Sequence, residues 1–372
     1  MLHSRLAPLA LAALLWPLAL EAQTSFFPSA PAVPEVVGAG GAAVAAPTQS
    51  PFAVFYNPAL LADAGVRPGL RVGTSVGPAL YGDDNLLTGT GVGSIGLKAT
   101  AGGRPLYVTL AGGYREVNID NVRLDVGDFD TEDRAYGGGL AVGWEGPVTV
   151  RAGAAAFARD APEQSDPVTG DRRRDRAVTL RLGTAVTVPV VRGPDVSETG
   201  PRVAVTLGAA YRGAELQSDL FDRGPLEGGA PEGVEASARY GASVDASLVR
   251  RFGTTGRIAF LRVSARAEQR TAGNGSDHLG GAFTLAETVT LRAGIERSDR
   301  NAPGAGGDVT TRTGIGLGVS IDGLVRALGA LNRSAQLLSI ADRLTLRGDL
   351  ARYDAGGPLE TDYAEFTVGW RP

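Results

Sequence analysis

Apolar and polar residues alternate along most of this chain, beginning near residue 67. The stretch VTLRLGTAVTV, residues 178–188, puts its valines and leucines on one face of an extended chain and arginine and glycine on the other. Such alternation with a period of two predicts a β-strand with one apolar and one polar face. The pattern recurs and predicts about fourteen strands. Their expected spans are residues 68–77, 91–100, 105–114, 134–144, 147–158, 176–188, 202–212, 235–250, 257–269, 278–286, 288–297, 310–321, 343–353 and 361–371.

The connections between these strands alternate in length. Long connections are expected at residues 78–90, 115–133, 159–175, 213–234 and 298–309, and short ones at 101–104, 145–146, 251–256 and near 287. Long loops at one end and tight turns at the other are typical of an outer-membrane barrel. We therefore predict an all-β fold, a transmembrane antiparallel up-and-down β-barrel formed by residues 67–372.

One face of nearly every predicted strand is apolar, and the other carries charged residues or glycine. A soluble β-sandwich would also show alternation, but its apolar faces would need a second layer to cover them. Lipid makes such a cover unnecessary, and closure of the barrel leaves no unpaired strand edge. The charged side chains of the polar faces are expected to point into the lumen. They are Arg71, Lys98, Arg151, Arg181, Arg239, Asp245, Arg262, Arg266, Glu268, Arg292, Glu296, Arg347 and Asp349.

Three regions lie outside this alternation. Residues 322–341 place leucines at helical spacing, which predicts a short amphipathic helix at the periplasmic base of the barrel, with an additional hairpin as the alternative. Residues 23–66 are rich in glycine, alanine and proline and precede the first strand on the periplasmic side. A segment of this size is expected to enter the lumen as a plug, or hatch. Residues 1–22 combine a positive start, an apolar run and a cleavage point, which predicts a signal peptide.

Composition and charge narrow the functional classes. The net charge is −4, which gives no electrostatic support for a nucleic-acid partner. The chain has no cysteine and therefore no disulfide or thiolate metal site. No cofactor, metal site or catalytic residue is predicted, and the protein is expected not to be an enzyme. His278 is expected to be a solvated residue at a loop edge, and the acidic run at residues 125–133 a solvated loop, with a divalent-cation site as its alternative.

The plug region contains the residues that carry a family resemblance. GAGGAAVA at residues 38–45 is followed by FYNPALLA at residues 55–62. This pair of segments is similar to the N-terminal hatch of FadL/TodX-type outer-membrane transporters and of the FadL-like PorV/PorQ group linked to type IX secretion. A dinucleotide-binding fingerprint also fits residues 38–43, but an exported chain meets no supply of dinucleotide. The hatch resemblance rests on Gly38, Gly40, Gly41, Tyr56, Asn57, Pro58 and Ala59.

The resemblance implies a fourteen-strand barrel, plugged by residues 23–66, in the outer membrane of a Gram-negative-type bacterium. Two functions remain open. The first is passive transport of hydrophobic, fatty-acid-like small molecules by a barrel that is surrounded by outer-membrane lipid. The alternative is a PorV/PorQ-like component of type IX protein secretion. It would bind secretion-machinery or cargo proteins through loops 115–133 and 213–234 without transporting a solute.

Overall fold

The computed structural model of the protein describes most of the barrel and part of the segment that precedes it. The predicted signal peptide, residues 1–22, lies outside the described residues, as does the beginning of the predicted hatch. The described ranges are residues 34–39, 41–46, 50–66, 68–81, 84–124, 127–165, 172–192, 199–213, 216–217, 236–252, 256–271, 275–299, 309–354 and 360–371.

In the described part of the chain, fourteen antiparallel strands form one closed barrel. Each strand pairs with its neighbours in sequence, and the first pairs with the last, with Val72 opposite Val368. A two-residue strand, Leu216–Gln217, adds to β6 beyond the end of β7. The barrel strands are β1 (Gly69–Tyr81), β2 (Asp84–Ala101), β3 (Arg104–Leu124), β4 (Gly127–Glu145), β5 (Thr149–Ser165), β6 (Arg172–Val191), β7 (Thr199–Arg212), β8 (Ser237–Phe252), β9 (Gly256–Thr271), β10 (Ser276–Leu285), β11 (Val289–Asp299), β12 (Val309–Ser320), β13 (Leu344–Asp354) and β14 (Glu360–Trp370).

The predicted number and order of the strands are confirmed, but three predicted connections are wrong. Most of residues 78–90, 115–133 and 159–175 belongs to strands, because β1–β6 extend well beyond the alternating pattern. Beyond the lipid both faces of a strand meet water, so the hydrogen-bonded ladder can continue without an apolar face to reveal it. The acidic run therefore lies largely in β4, and the side chains of residues 127–133 are outside the described part.

The two ends of the barrel differ. At one end, which we call the helix end, tight turns join the strands: Gly102 and Gly103 take positive φ angles of 58° and 75° between β2 and β3. Ala286 and Glu287, with φ angles of 48° and 57°, turn the chain between β10 and β11. Two helices lie at the same end. At the opposite end, which we call the loop end, β2–β6 project furthest.

The outer face of the barrel is apolar and exposed, whereas the inner face is polar and buried. On the outer face Ile315 is 60% exposed and Leu350 is 59% exposed, while Thr206 and Asp349 on the inner face are 0% and 2% exposed. A soluble β-protein shows the opposite distribution, because its apolar faces pack together. The observed distribution fits a barrel with lipid around it and polar contents within it.

The apolar band is close in height to the band that outer-membrane barrels present to lipid. Outward side chains on β4 run from Tyr136 to Trp144, which is roughly 20 Å along the barrel axis at ~3.3 Å per residue and a tilt of ~40°. The apolar band of outer-membrane barrels is ~25 Å tall. Tyr114 on β3 pairs with Tyr136 and is also exposed, so two tyrosines mark the loop-end rim of the band.

The described part of the segment before β1 contains only short helices. They are α1 (Pro34–Val37), α2 (Ala53–Tyr56), a 3-10 helix (Pro58–Leu61) and α3 (Ala62–Gly65). The predicted helix between the last strands is confirmed, as a pair: α4 (Ile321–Leu331) and α5 (Ala335–Arg343). The hydroxyl oxygens of Ser320 and Ser334 accept a first-turn backbone N–H of α4 and α5 at 3.0 and 3.3 Å. None of the described helices is long and apolar enough to cross a membrane.

Arg326 fixes the helix pair to the barrel. Its guanidinium donates to Glu287 in the β10–β11 turn at 2.8 Å, and to Ala341 O and Asp342 of α5 at 3.1 and 3.2 Å. Burial alone would lower the pKa of Arg326, but the carboxylates of Glu287, Asp342 and Asp322 outweigh it and raise the pKa. The side chain therefore stays cationic at any working pH and keeps all three contacts.

Candidate functional site

The N-terminal segment passes through the inside of the barrel. Glycines on the inner faces of ten strands, β1–β8, β10 and β12, lie so close to residues 38–65 that a methyl group on any of them would press against the segment. The contact therefore extends around the lumen, and the wall needs glycine where the backbone of the segment comes closest. These glycines are Gly73, Gly96, Gly113, Gly139, Gly143, Gly153, Gly183, Gly208, Gly241, Gly280 and Gly316.

Asn57, at the centre of the motif that carries the family resemblance, is fully buried. Its Nδ2 donates to Val44 O at 2.7 Å and to Thr184 O of β6 at 3.1 Å. Its Oδ1 accepts from Ala59 N at 3.1 Å. One side chain thus joins two parts of the segment to each other and to the wall. Pro58 begins the 3-10 helix, where its fixed φ is suitable and its missing N–H costs nothing.

The glycines of the motif lie across the lumen from Asn57, against β10 and β12. A Cβ on Gly38 would be 2.9 Å from the Cα of Gly316 in β12, so two backbones meet there without side chains between them. Gly41 has a φ of 83°, which favours glycine, and it lies directly over the ring of His278. Gly40 lies outside the described residues.

His278 is not the solvated residue expected from the sequence, because it is 7% exposed within the barrel. Its Nε2 lies 2.9 Å from Ser276 Oγ, and its Nδ1 lies 3.9 Å from Glu296 of β11. Ser276 and His278 share the inner face because they are two residues apart on β10. Gly41 covers the imidazole. The cluster therefore packs the segment against the wall. His278 was wrongly predicted to be solvated because the segment that covers it has no alternating pattern, so its path through the lumen could not be predicted.

Residues 50–66 of the segment are held mainly by apolar packing. Phe52 and Leu60 are each 1% exposed and belong to a cluster that includes small side chains from β4–β6. Phe55 stacks on Phe157 of β5 with ring centroids 4.7 Å apart. Packing of this kind is non-directional, and its stabilisation scales with the apolar area removed from water. This part of the segment therefore behaves as a small hydrophobic core inside the lumen.

Residues 34–46 bury mostly small apolar side chains and are held in addition by hydrogen bonds and charges. Glu268 of β9 accepts the backbone N–H groups of Ala43 at 2.6 Å and Val44 at 2.8 Å with one carboxylate oxygen. Its other oxygen lies 3.3 Å from Arg239 of β8. Glu268 is almost fully buried, so its charge is compensated by these groups and not by water. A single wall carboxylate thereby positions a turn of the segment.

Two further contacts hold the same part of the segment. Ser243 of β8 donates its hydroxyl to Ala45 O at 2.8 Å. Arg347 of β13 lies 2.6 Å from Asp349 and 4.0 Å from Glu35, so one guanidinium is shared between a wall carboxylate and a segment carboxylate. Contacts of this kind depend on direction, and water can replace them when the partners separate.

The charged residues expected in the lumen lie on the inner faces of their strands, and several form ion pairs. Arg71 and Arg266 are buried, whereas Lys98 is exposed near the helix end, with Nζ 5.8 Å from the centre of the Tyr107 ring. The ion pairs are Arg151–Asp63 at 2.6 Å, Arg262–Asp245 at 2.7 Å, Arg292–Asp349 at 2.6 Å, Arg347–Asp349 at 2.6 Å, Arg239–Glu268 at 3.3 Å and Arg312–Glu296 at 3.7 Å.

Sequence reasoning missed several charged residues of the lumen and its base, among them Asp63, Arg326 and Glu365. Asp63 belongs to the segment, where no alternation marks an inner face, and Arg326 belongs to α4. Glu365 is 5% exposed on the inner face of β14. Glu365 could have been predicted from the alternation of β14, because the apolar Ala364 and Phe366 on either side of it point outward.

Among the described residues, two cavities that flank the segment stand out. The larger, about 410 Å³, lies toward the helix end and is lined by arginines, carboxylates and hydroxyl groups. The smaller, about 20 Å³, lies toward the loop end. Its lining combines aromatic rings with three arginines, and Arg181 also donates to Phe55 O. No group of three side chains suited to metal binding occurs among the described residues. The smaller cavity is lined by Phe55, Tyr56, Arg181, Ala210, Tyr211, Arg212, Ser237 and Arg239.

No protein-family model matches the sequence, and no curated protein matches it. Solved structures match most of the chain at low identity. The toluene transporter TodX of Pseudomonas putida is 11% identical with a TM-score of 0.43, over 93% of this chain and 98% of that chain. A FadL homologue of Pseudomonas aeruginosa is 13% identical with a TM-score of 0.45, over 92% and 98%. The β-domain of the Bordetella autotransporter BrkA is 10% identical with a TM-score of 0.39, over 82% and 99%. The structural neighbours thus include FadL-type transporter barrels and an autotransporter, and likeness at this level does not decide the function.

Proposed function

We propose that the protein is a FadL-like passive transporter of the outer membrane of a Gram-negative-type bacterium, with residues 23–66 as a hatch that closes the lumen. The observation that carries this proposal is the ring of wall glycines around residues 38–65, inside a barrel whose outer face is apolar and exposed. Wall positions without side chains on ten strands suit one particular occupant. A solute can pass only when this occupant shifts.

Within this class, we propose a hydrophobic solute with an acidic head group, such as a fatty acid. The small cavity toward the loop end places Phe55 and Tyr56 beside Arg181, Arg212 and Arg239, and at about 20 Å³ it has room only for a water-sized group, so an alkyl chain would enter only when the segment shifts. Aromatic rings offer apolar surface to an alkyl chain, and a guanidinium forms paired hydrogen bonds with a carboxylate. A plain hydrocarbon would make no use of these arginines, of which Arg181 also donates to Phe55 O and Arg239 also pairs with Glu268.

Growth on a fatty acid tests the proposal. A Gram-negative host that lacks its own long-chain fatty-acid transporter should grow on oleate when it expresses this protein. The double variant Arg181→Gln and Arg212→Gln should lose that growth, because it removes two of the three charges beside the aromatic rings. Arg352→Gln is the matched control, since Arg352 is exposed at the barrel surface and pairs with Asp362. Absence of growth with a correctly inserted wild-type barrel would refute the fatty-acid assignment.

The charged lining of the larger cavity favours a second candidate. Ligand cavities for oily molecules are predominantly apolar, and this one is not. In a PorV/PorQ-like component of type IX secretion, the lumen charges would only fix the hatch, and the barrel would bind partners or cargo at its loop end. Affinity purification separates the two candidates. Secretion or cargo proteins that co-purify with a barrel unable to support growth on oleate would favour the second.

A further inference from the structure

The larger lumen cavity contains an arginine without a polar contact to the protein. Arg266 of β9 is 8% exposed and lines the cavity of about 410 Å³. Among the described residues no hydrogen bond or ion pair reaches it, and its Nε is buried without a hydrogen-bond partner. Glu35 and Asp245 attract it only from a longer distance, and Arg262 and Arg292 repel it.

Six acids among the described residues line the same cavity, and three of them are engaged by other arginines, whereas Glu35, Asp322 and Glu365 make no hydrogen bond or ion pair with Arg266. Asp63, Asp245 and Glu287 each lie within hydrogen-bonding distance of a different guanidinium. None of these acids can turn to Arg266 without abandoning its own partner. A buried guanidinium that lacks a partner is unfavourable, and a bound anion would compensate it. The engaged pairs are Arg151–Asp63 at 2.6 Å, Arg262–Asp245 at 2.7 Å and Arg326–Glu287 at 2.8 Å.

We propose that this cavity is a binding site for a compact hydrophilic oxyanion, either a phosphate or a short-chain carboxylate, with Arg266 as its anchor. The planar fork of a guanidinium matches the oxygens of both groups and forms two parallel hydrogen bonds with either. The volume falls within the ~300–1,000 Å³ of small-molecule sites. This site is independent of the proposed transport, because it lies on the opposite side of the segment from the small cavity with the aromatic rings.

The lining of the cavity decides the class of ligand. Between the charged groups stand hydroxyls, among them Ser264 beside Arg266 on β9 and Thr284 on β10. Of the described residues that line it, none is a leucine, an isoleucine or an aromatic residue. A long alkyl chain or a ring would therefore lose contact with water and gain little apolar contact in return. A small anion with several oxygens can use both the arginine and the hydroxyls.

Calorimetric titration of the purified full chain in non-ionic detergent at low ionic strength tests the site. Inorganic phosphate, acetate and octanoate serve as separate probes. Phosphate or acetate should bind to wild type, and Arg266→Gln should weaken that binding by at least about tenfold, because it removes the charge that anchors the oxygens. Arg266→Lys should retain part of the affinity. Arg352→Gln, which makes the same change of charge outside the lumen, should bind as wild type does.

A second variant keeps the test independent of any folding defect in Arg266→Gln. Ser264→Asp places a carboxylate next to Arg266 on the same inner face and should occupy the guanidinium, so phosphate and acetate binding should again fall. Three results would each overturn the proposal. They are no binding of phosphate or acetate to wild type, equal binding by wild type and both variants, and binding of octanoate alone, which would indicate an apolar site.

Discussion

Two parts of the N-terminal segment share one lumen but differ in the balance between apolar packing and polar contacts that holds them there. Residues 50–66, which we call the second arm, bury Phe52 and Leu60 in an apolar cluster with β2–β6. Residues 34–46, which we call the first arm, are held by the carboxylate of Glu268, the hydroxyl of Ser243 and a distant ion pair to β13.

The difference indicates which arm yields first. Separating an apolar cluster exposes its whole surface to water at once, whereas water can replace hydrogen bonds one by one. We therefore expect the first arm to be released more easily than the second. Asn57 lies where the two meet, because it belongs to the second arm and donates to Val44 O of the first. The chain has no cysteine, so single introduced cysteines can report the exposure of each arm separately.

Removing both arms should give the largest effect. Deletion of residues 23–64 should leave an inserted barrel, because the strands bury their apolar face in lipid and not against the segment. That barrel should conduct ions that the intact protein blocks, which planar-bilayer recording measures. Equal currents from the intact and shortened proteins would mean that the segment does not plug the lumen, and the hatch proposal would be lost.

Phe52→Ala should loosen the second arm most strongly among single changes. Truncating a fully buried phenylalanine costs about 3–5 kcal/mol, so maleimide labelling of a cysteine at Ala64 should rise by a factor on the order of 10²–10⁴. Phe366→Ala is the matched control, because Phe366 faces outward on β14 and its loss should leave labelling unchanged. A comparable rise in the control would show that the barrel as a whole, and not the arm, had loosened.

The barrel wall was predictable from sequence because lipid imposes a strict alternation on every strand that crosses it. Ile315 and Leu317 must face outward, which fixes the inner positions of β12 as well. The loop-end extensions of β1–β6 were not predicted, because that alternation ceases beyond the lipid. The hydrogen bond that Val44 N donates to the Glu268 carboxylate joins residues 224 apart in the chain. No local pattern encodes such a contact, since it depends on the path of the segment through the lumen.

Asn57→Ala should loosen both arms together. The substitution removes three hydrogen bonds, including the one that Nδ2 donates to the buried carbonyl of Val44, at a cost of about 2–4 kcal/mol. Labelling of cysteines at Ala42 and at Ala64 should rise by similar factors, and bilayers should show a partial ion leak. Asn332→Ala, at the exposed end of α4, should change neither. A rise at one cysteine only would show that Asn57 does not couple the arms.

Glu268→Gln should affect the first arm alone. The variant keeps an acceptor of the same shape but loses the charge, and hydrogen bonds to charged groups exceed neutral ones by about 1–1.5 kcal/mol. Labelling at Ala42 should therefore rise about tenfold, with no change at Ala64. Asp362→Asn at an exposed ion pair serves as the control for the loss of one negative charge. If Ala64 responded as strongly as Ala42, the two arms would move as one body.

Ser243→Ala should give the smallest effect and separates charge from hydrogen bonding within the first arm. Ser243 and Glu268 hold neighbouring residues of that arm, but the hydroxyl makes one neutral hydrogen bond, to Ala45 O, worth about 0.5–1.5 kcal/mol. Labelling at Ala42 should rise only about two- to tenfold. Ser247→Ala lies on the same face of β8, away from the segment, and should have no effect. A larger rise for Ser243→Ala than for Glu268→Gln would mean that packing at Ala45, and not charge, holds the first arm.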